Sequence, residues 1–149
     1  MKFKFSLEKL LNQRNIQVNL DRRQFLDKQN EYDQVEKKLN EMLQLKINIL
    51  EQRSAQVAGA VGWQSEVQLM NSFLTGQDLL IEKQNKSLKS LEKEVEACRQ
   101  ILLKAVTEAR MVERLKENKK AEFIKANLDL EQKELDEIVS MRNQVNKFI

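Results

Sequence analysis

Val57-Ala-Gly-Ala-Val-Gly-Trp63 carries two of the three glycines in the chain, and Gly76 follows a short way beyond. No proline occurs anywhere in the 149 residues. At ordinary usage of about 5% a chain of this length would hold roughly seven prolines, each costing about 3 kcal/mol inside a helix. Their absence leaves helices few places to stop, so Gly59 and Gly62, which tolerate positive backbone angles, become the natural site of a single reversal. The predicted fold is all-α: a long antiparallel two-helix coiled-coil hairpin. One domain covers residues 1–149, with a first arm over about 6–57, a turn over about 58–64 and a second arm over about 65–149. Ser65 with Gln68 suits a capping box at the start of the second arm, and Ser6 suits a cap for the first. Gly76 then falls inside the second helix. At the helical rise, unbroken arms would run about 80 to 130 Å.

Working outward from the reversal, each arm shows a heptad pattern. Leu11, Val18, Phe25, Tyr32 and Leu39 recur every seventh residue, and Val35, Met42 and Ile49 supply the complementary position. Arg14, Asp21 and Lys28 occupy that second position earlier, which predicts looser packing near the start of the arm. In the second arm Ile81, Leu88, Val95, Leu102 and Ala109 form one line and Leu91, Cys98, Ala105 and Val112 the other. Cys98 therefore reads as a small seam residue rather than a reactive thiol, which would want an exposed, electropositive setting. Past Val112 the spacing breaks at Lys116 and Lys119 and resumes, shifted, at Ile124, Leu128, Leu135, Ile138, Val145 and Ile149, the mark of a stutter. Asp33 with Lys37, Glu82 with Lys86 and Asp129 with Lys133 offer acid-first i,i+4 pairs on the solvated faces.

Composition narrows the function. Apolar residues make up 41% and charged residues 33%, with 26 basic against 23 acidic groups, a near balance that leaves no nucleic-acid footprint. With no histidine and one cysteine, the chain can build neither a Ser-His or Cys-His pair nor a His/Cys zinc set, and its glycines match no phosphate-binding loop. The reading is a protein that is not an enzyme and uses no cofactor or metal. The opening lacks a basic-then-apolar signal, and no run of about 18 apolar residues predicts a membrane span, so a reducing cytoplasm is the expected setting.

Two regions stand apart. Residues 54–78 hold no lysine or arginine and only Glu66 and Asp78 as charges, yet carry Val57, Val61, Trp63, Val67, Leu69, Met70, Phe73 and Leu74. Such a tip reads either as a small local core or as a docking patch for a partner. At the other end Phe3 and Phe5 alternate before helical spacing begins, either to close the open end of the coil or to anchor another protein.

The opening Phe3-Lys-Phe-Ser-Leu-Glu-Lys-Leu-Leu through Arg14, and Glu131-Gln-Lys-Glu-Leu-Asp-Glu-Ile with Arg142, resemble the flagellar export protein FliJ family. Length, lack of proline and the single hairpin agree, and the resemblance covers essentially the whole chain. It implies a cytoplasmic component of the flagellar type III export apparatus, peripherally associated with the inner membrane and resembling the central stalk of rotary ATPases. The implied partners are the export ATPase hexamer, the cytoplasmic domain of the export gate, and export chaperones. The resemblance places Arg14, Gln132, Glu134, Asp136 and Arg142 on the ATPase side. On the gate side the candidates are Leu45, Ile49, Met70, Phe73 and Leu74, chosen as apolar residues near the turn. A free-standing coiled-coil scaffold or holdase chaperone is the alternative, and a dimer with four arms in a bundle is a third.

Overall fold

The computed structural model describes residues 2–59 and 64–147. Helix α1 spans Glu8–Gly59 and helix α2 spans Gln64–Lys147. The two pack against each other, with no strand among the described residues, so the predicted all-α hairpin is the observed fold. Ala58 and Gly59 continue α1, while Ala60, Val61, Gly62 and Trp63, where the turn is expected, lie outside the described residues. Ser65 sits within α2, after Gln64 has already opened the helix, so it is not the cap. Ser6 is not a cap either. Before α1 begins, the Glu8 N–H donates to the Phe5 carbonyl at 3.2 Å, which puts Ser6 inside a tight turn, and the first helical bond runs from Leu11 N–H to the Leu7 carbonyl at 3.0 Å.

The seam follows the heptads. Its buried and half-buried positions step by alternating threes and fours from Leu11 to Gln56 in α1 and from Val67 to Lys116 in α2. The chain divides into two compact units, residues 20–103 and residues 1–19 with 104–149.

In the first of these units Leu39, Val67, Leu74 and Ile81 form the buried apolar line, and Asp21 and Gln77 are its buried polar residues. Three further polar seam positions of α1 reach across to α2, while Gln56 Oε1 is buried without a hydrogen-bond partner among the described residues. Lys28 Nζ meets Glu94 at 3.2 Å, Lys46 Nζ meets Asp78 at 2.6 Å, and Arg53 donates to Asn71 Oδ1 at 2.9 Å. The Glu94 hydrogen bond, then the charges of Glu31 and Glu94, hold the Lys28 ammonium above the ordinary lysine range. Tyr32 is also raised, first by burial and then by the nearby charges of Glu36, Glu92 and Asp33. Cys98 is a half-buried free thiol at its seam position. Along the exposed faces Glu82 pairs with Lys86 at 3.6 Å, whereas Asp33 accepts from Gln29 at 3.1 Å instead of pairing with Lys37. Gly76 lies within α2, and a Cβ added there would meet nothing within 4 Å.

In the second unit Leu11 and Val18 of α1 are buried with Ala105 and Ala109 of α2. Arg14, at a seam position, donates to Glu108 Oε2 at 2.8 Å, and Lys116 Nζ meets Glu8 at 2.9 Å. Phe3 stacks at a tilt on Phe123, with ring centroids 5.5 Å apart. The start of the first arm is thus not loosely packed: Leu11, Val18 and Asp21 are among the most buried residues of the chain. Small alanines on α2 leave room at the seam, and the long Arg14 side chain extends out of it to a carboxylate at the rim.

The stutter expected after Val112 is also absent from the paired region. Lys116 keeps its seam position and Phe123 follows seven residues later, with Lys119 between them exposed. Ile124 and Leu128, expected to carry the seam onward, are about half exposed instead. The shifted stripe is real, but it belongs to a different face of α2.

Candidate functional site

From Leu128 to Lys147 every residue of α2 is exposed. The cause is register. The segment before α1 meets α2 at Phe123, so nothing in the described chain accompanies the helix beyond Asn127. This bare stretch contains the Glu131-to-Arg142 motif. Gln132 Nε2 donates to Asp136 Oδ1 at 3.2 Å, an i,i+4 bond that joins two of the ATPase-side candidates on one face. Glu134 and Arg142 are exposed on the same helix.

Arg14 is placed differently. It is a half-buried seam residue committed to Glu108, with its Nε buried and unpartnered. Its level on α2 is therefore near residue 108, which leaves about 36 Å of helix before Gln132 at 1.5 Å per residue. The two terminal motifs do not meet. The opening motif clasps α2 between Glu108 and Phe123, and the later motif stands alone.

Of the five residues expected on the gate side, Leu45 and Phe73 are exposed, Ile49 and Met70 are half-buried, and Leu74 is only 6% exposed within the seam. Leu74 supports this surface from behind and does not form part of it. Among the described residues Leu69, at 74% exposure, is the most open large apolar residue of the region, and it is not one of the candidates. Val67 and Leu74 turn inward while Leu69 and Phe73 turn outward, so a local core and an outward apolar face coexist there. Val61 and Trp63 lie outside the described residues.

The cross-seam partners Glu94, Asp78 and Glu108 were also unrecognised in the sequence. A usable signal was present: in an antiparallel pair the two residue numbers of each bridge add to a nearly constant value, so one aligned bridge indicates the rest.

The fold and these surfaces define an antiparallel coiled-coil hairpin with polar bridges in its seam and one helix extending bare past the other. A family model for the flagellar FliJ protein matches residues 3–147. The chain belongs to the FliJ family and is a coiled-coil protein of flagellar export. No curated protein and no solved structure matches it. Among the described residues no helix is long and apolar enough to cross a membrane.

Proposed function

We propose that the chain is the stalk of the flagellar type III export apparatus, working in the cytoplasm against the inner-membrane export machinery. In this reading it links the export ATPase hexamer to the cytoplasmic domain of the export gate, and export chaperones are further ligands. The observation that carries the reading is the family match over residues 3–147 together with the bare stretch that holds the Glu131-to-Arg142 motif. An uncovered helix with alternating charges is suited to insertion between subunits of a ring. Gln132, Glu134, Asp136 and Arg142 supply the polar contacts, while Arg14 fixes the register of the hairpin behind them. Leu45, Phe73 and the half-buried Ile49 and Met70 form the gate-side surface, with Leu69 added to it.

A pull-down with the export ATPase tests the first half. Scrambling residues 131–138 should abolish retention and stimulation of ATP hydrolysis while leaving the circular dichroism of the hairpin intact. Full retention by the scrambled chain would refute the assignment. The holdase alternative predicts instead that the chain suppresses aggregation of unrelated unfolded proteins and leaves the ATPase unaffected.

A further inference from the structure

The bare stretch of α2 carries its own heptad stripe. Leu128, Leu135, Ile138 and Val145 fall at the two core positions of the shifted register and are 57% to 60% exposed. The heptad line of Phe123 prolonged along α2 would pass through positions 130, 137 and 144, and at about 100° per residue Leu128 and Leu135 lie about 160° from it and Ile138 and Val145 about 100° from it. Prolonging the hairpin seam would therefore not cover it. Val139 and Met141, also exposed, flank the stripe and widen it. The remaining two core positions between Leu128 and Val145 are Glu131 and Arg142, one acid and one base.

Their placement is self-complementary. Reversing the helix end for end about the midpoint between Asp136 and Glu137 exchanges Leu128 with Val145, Glu131 with Arg142, and Leu135 with Ile138. In an antiparallel pair of identical helices, layers form between opposite core positions. Such a pair would align leucine against valine or isoleucine in every apolar layer and place each Glu131 against the Arg142 of the other copy. The flanking positions bring Gln132 towards Val139 and Glu134 towards Met141, with no like charges opposed. A parallel pair would instead set Glu131 against Glu131 and Arg142 against Arg142, two repulsive layers in a partly desolvated seam.

We infer that this face of α2 is covered by the same face of a second copy of the chain, in an antiparallel helix pair whose register is set by reciprocal Glu131–Arg142 bridges. The inference does not depend on the stalk reading. It adds a consequence to it: self-association sequesters Arg142 and the face beside Gln132, so a paired chain and an ATPase-bound chain are alternative states. A pair of about three heptads is short, and the association is reversible.

Sedimentation velocity of the full chain alone, across the micromolar range at low salt, tests the inference. The unaltered chain should shift from monomer to dimer with concentration. Glu131→Arg alone and Arg142→Glu alone should each weaken the dimer by at least about tenfold, because two like-charged pairs replace two opposite-charged ones. The double variant E131R/R142E should regain the affinity of the unaltered chain. All these positions are exposed, so the helical signal of each variant should stay unchanged. A chain that stays monomeric throughout, a dimer indifferent to single reversal, or a double variant as weak as the single ones would overturn the inference. Indifference to reversal would point instead to the four-arm bundle.

Discussion

Within α2, residues 104–127 and residues 128–147 share one helix and one heptad logic but differ in what covers them. In the first stretch the core positions include Lys116, and that polar side chain is held by Glu8 across the seam. In the second the core positions include Leu128, Leu135, Ile138 and Val145, and they face outward. The more apolar of the two stripes is the uncovered one. Hydropathy decides which residues favour burial, but the axial stagger of the two helices decides which residues obtain it.

The sharpest way to break this comparison is to truncate a leucine on each side of it. Leu11→Ala, at a position only 6% exposed, should destabilise the chain by about 2 to 4 kcal/mol in urea unfolding, through lost transfer energy and the cavity left behind. Leu135→Ala, measured at low concentration where the chain is monomeric, should change stability by no more than about 0.5 kcal/mol. Equal losses would mean that the bare stretch is covered within the monomer. Gly76→Ala should stabilise the chain by about 1 kcal/mol, since a methyl group there meets open space in a helix interior and restrains the unfolded chain. A loss of thermal stability would show that position 76 packs against something.

The polar bridges should matter less than the apolar layers. Arg14 and Glu108 are both about two-fifths exposed, and solvent screens their attraction. Arg14→Met should therefore alter stability by about 0.5 kcal/mol in either direction, as the aliphatic side chain keeps the packing along the seam. A much larger loss would show the bridge to be a principal determinant of the fold. The smallest expected effect is at Lys28. Its pKa is raised in the folded chain by the Glu94 hydrogen bond, so the stabilisation is fully present below the unfolded lysine value and is lost as pH rises through the folded one. Urea unfolding at increasing alkaline pH should show this decline, and Lys28→Met should flatten its share of it.

Much of the fold was legible because periodicity survives in a single chain. Leu11, Val18, Leu39, Ile81 and Ala109 are buried, as their spacing required, and Cys98 is the ordinary seam residue it resembled. The early polar positions were misread. Arg14, Asp21 and Lys28 at the second seam position predict loose packing, since a seam position is judged by its own side chain until the opposite one is known. Glu108 and Ala105 lie some 90 residues away in sequence, and only folding brings them level with it. The candidate site was legible as a motif at Glu131 to Arg142, but its isolation was not, nor was the turning of Leu74 inward and Leu69 outward.

The sequence by itself determined two helices, their apolar faces and a shifted stripe late in the second, because each is a property of local spacing on a 3.6-residue helix. The tertiary structure alone decided the stagger. Heptads repeat every seven residues, so many axial offsets satisfy them equally in the abstract. Within residues 1–19 and 104–149 the Arg14–Glu108 and Glu8–Lys116 bridges, closed by Phe3 on Phe123, select one, and with it which stripe is buried and which is left for a partner.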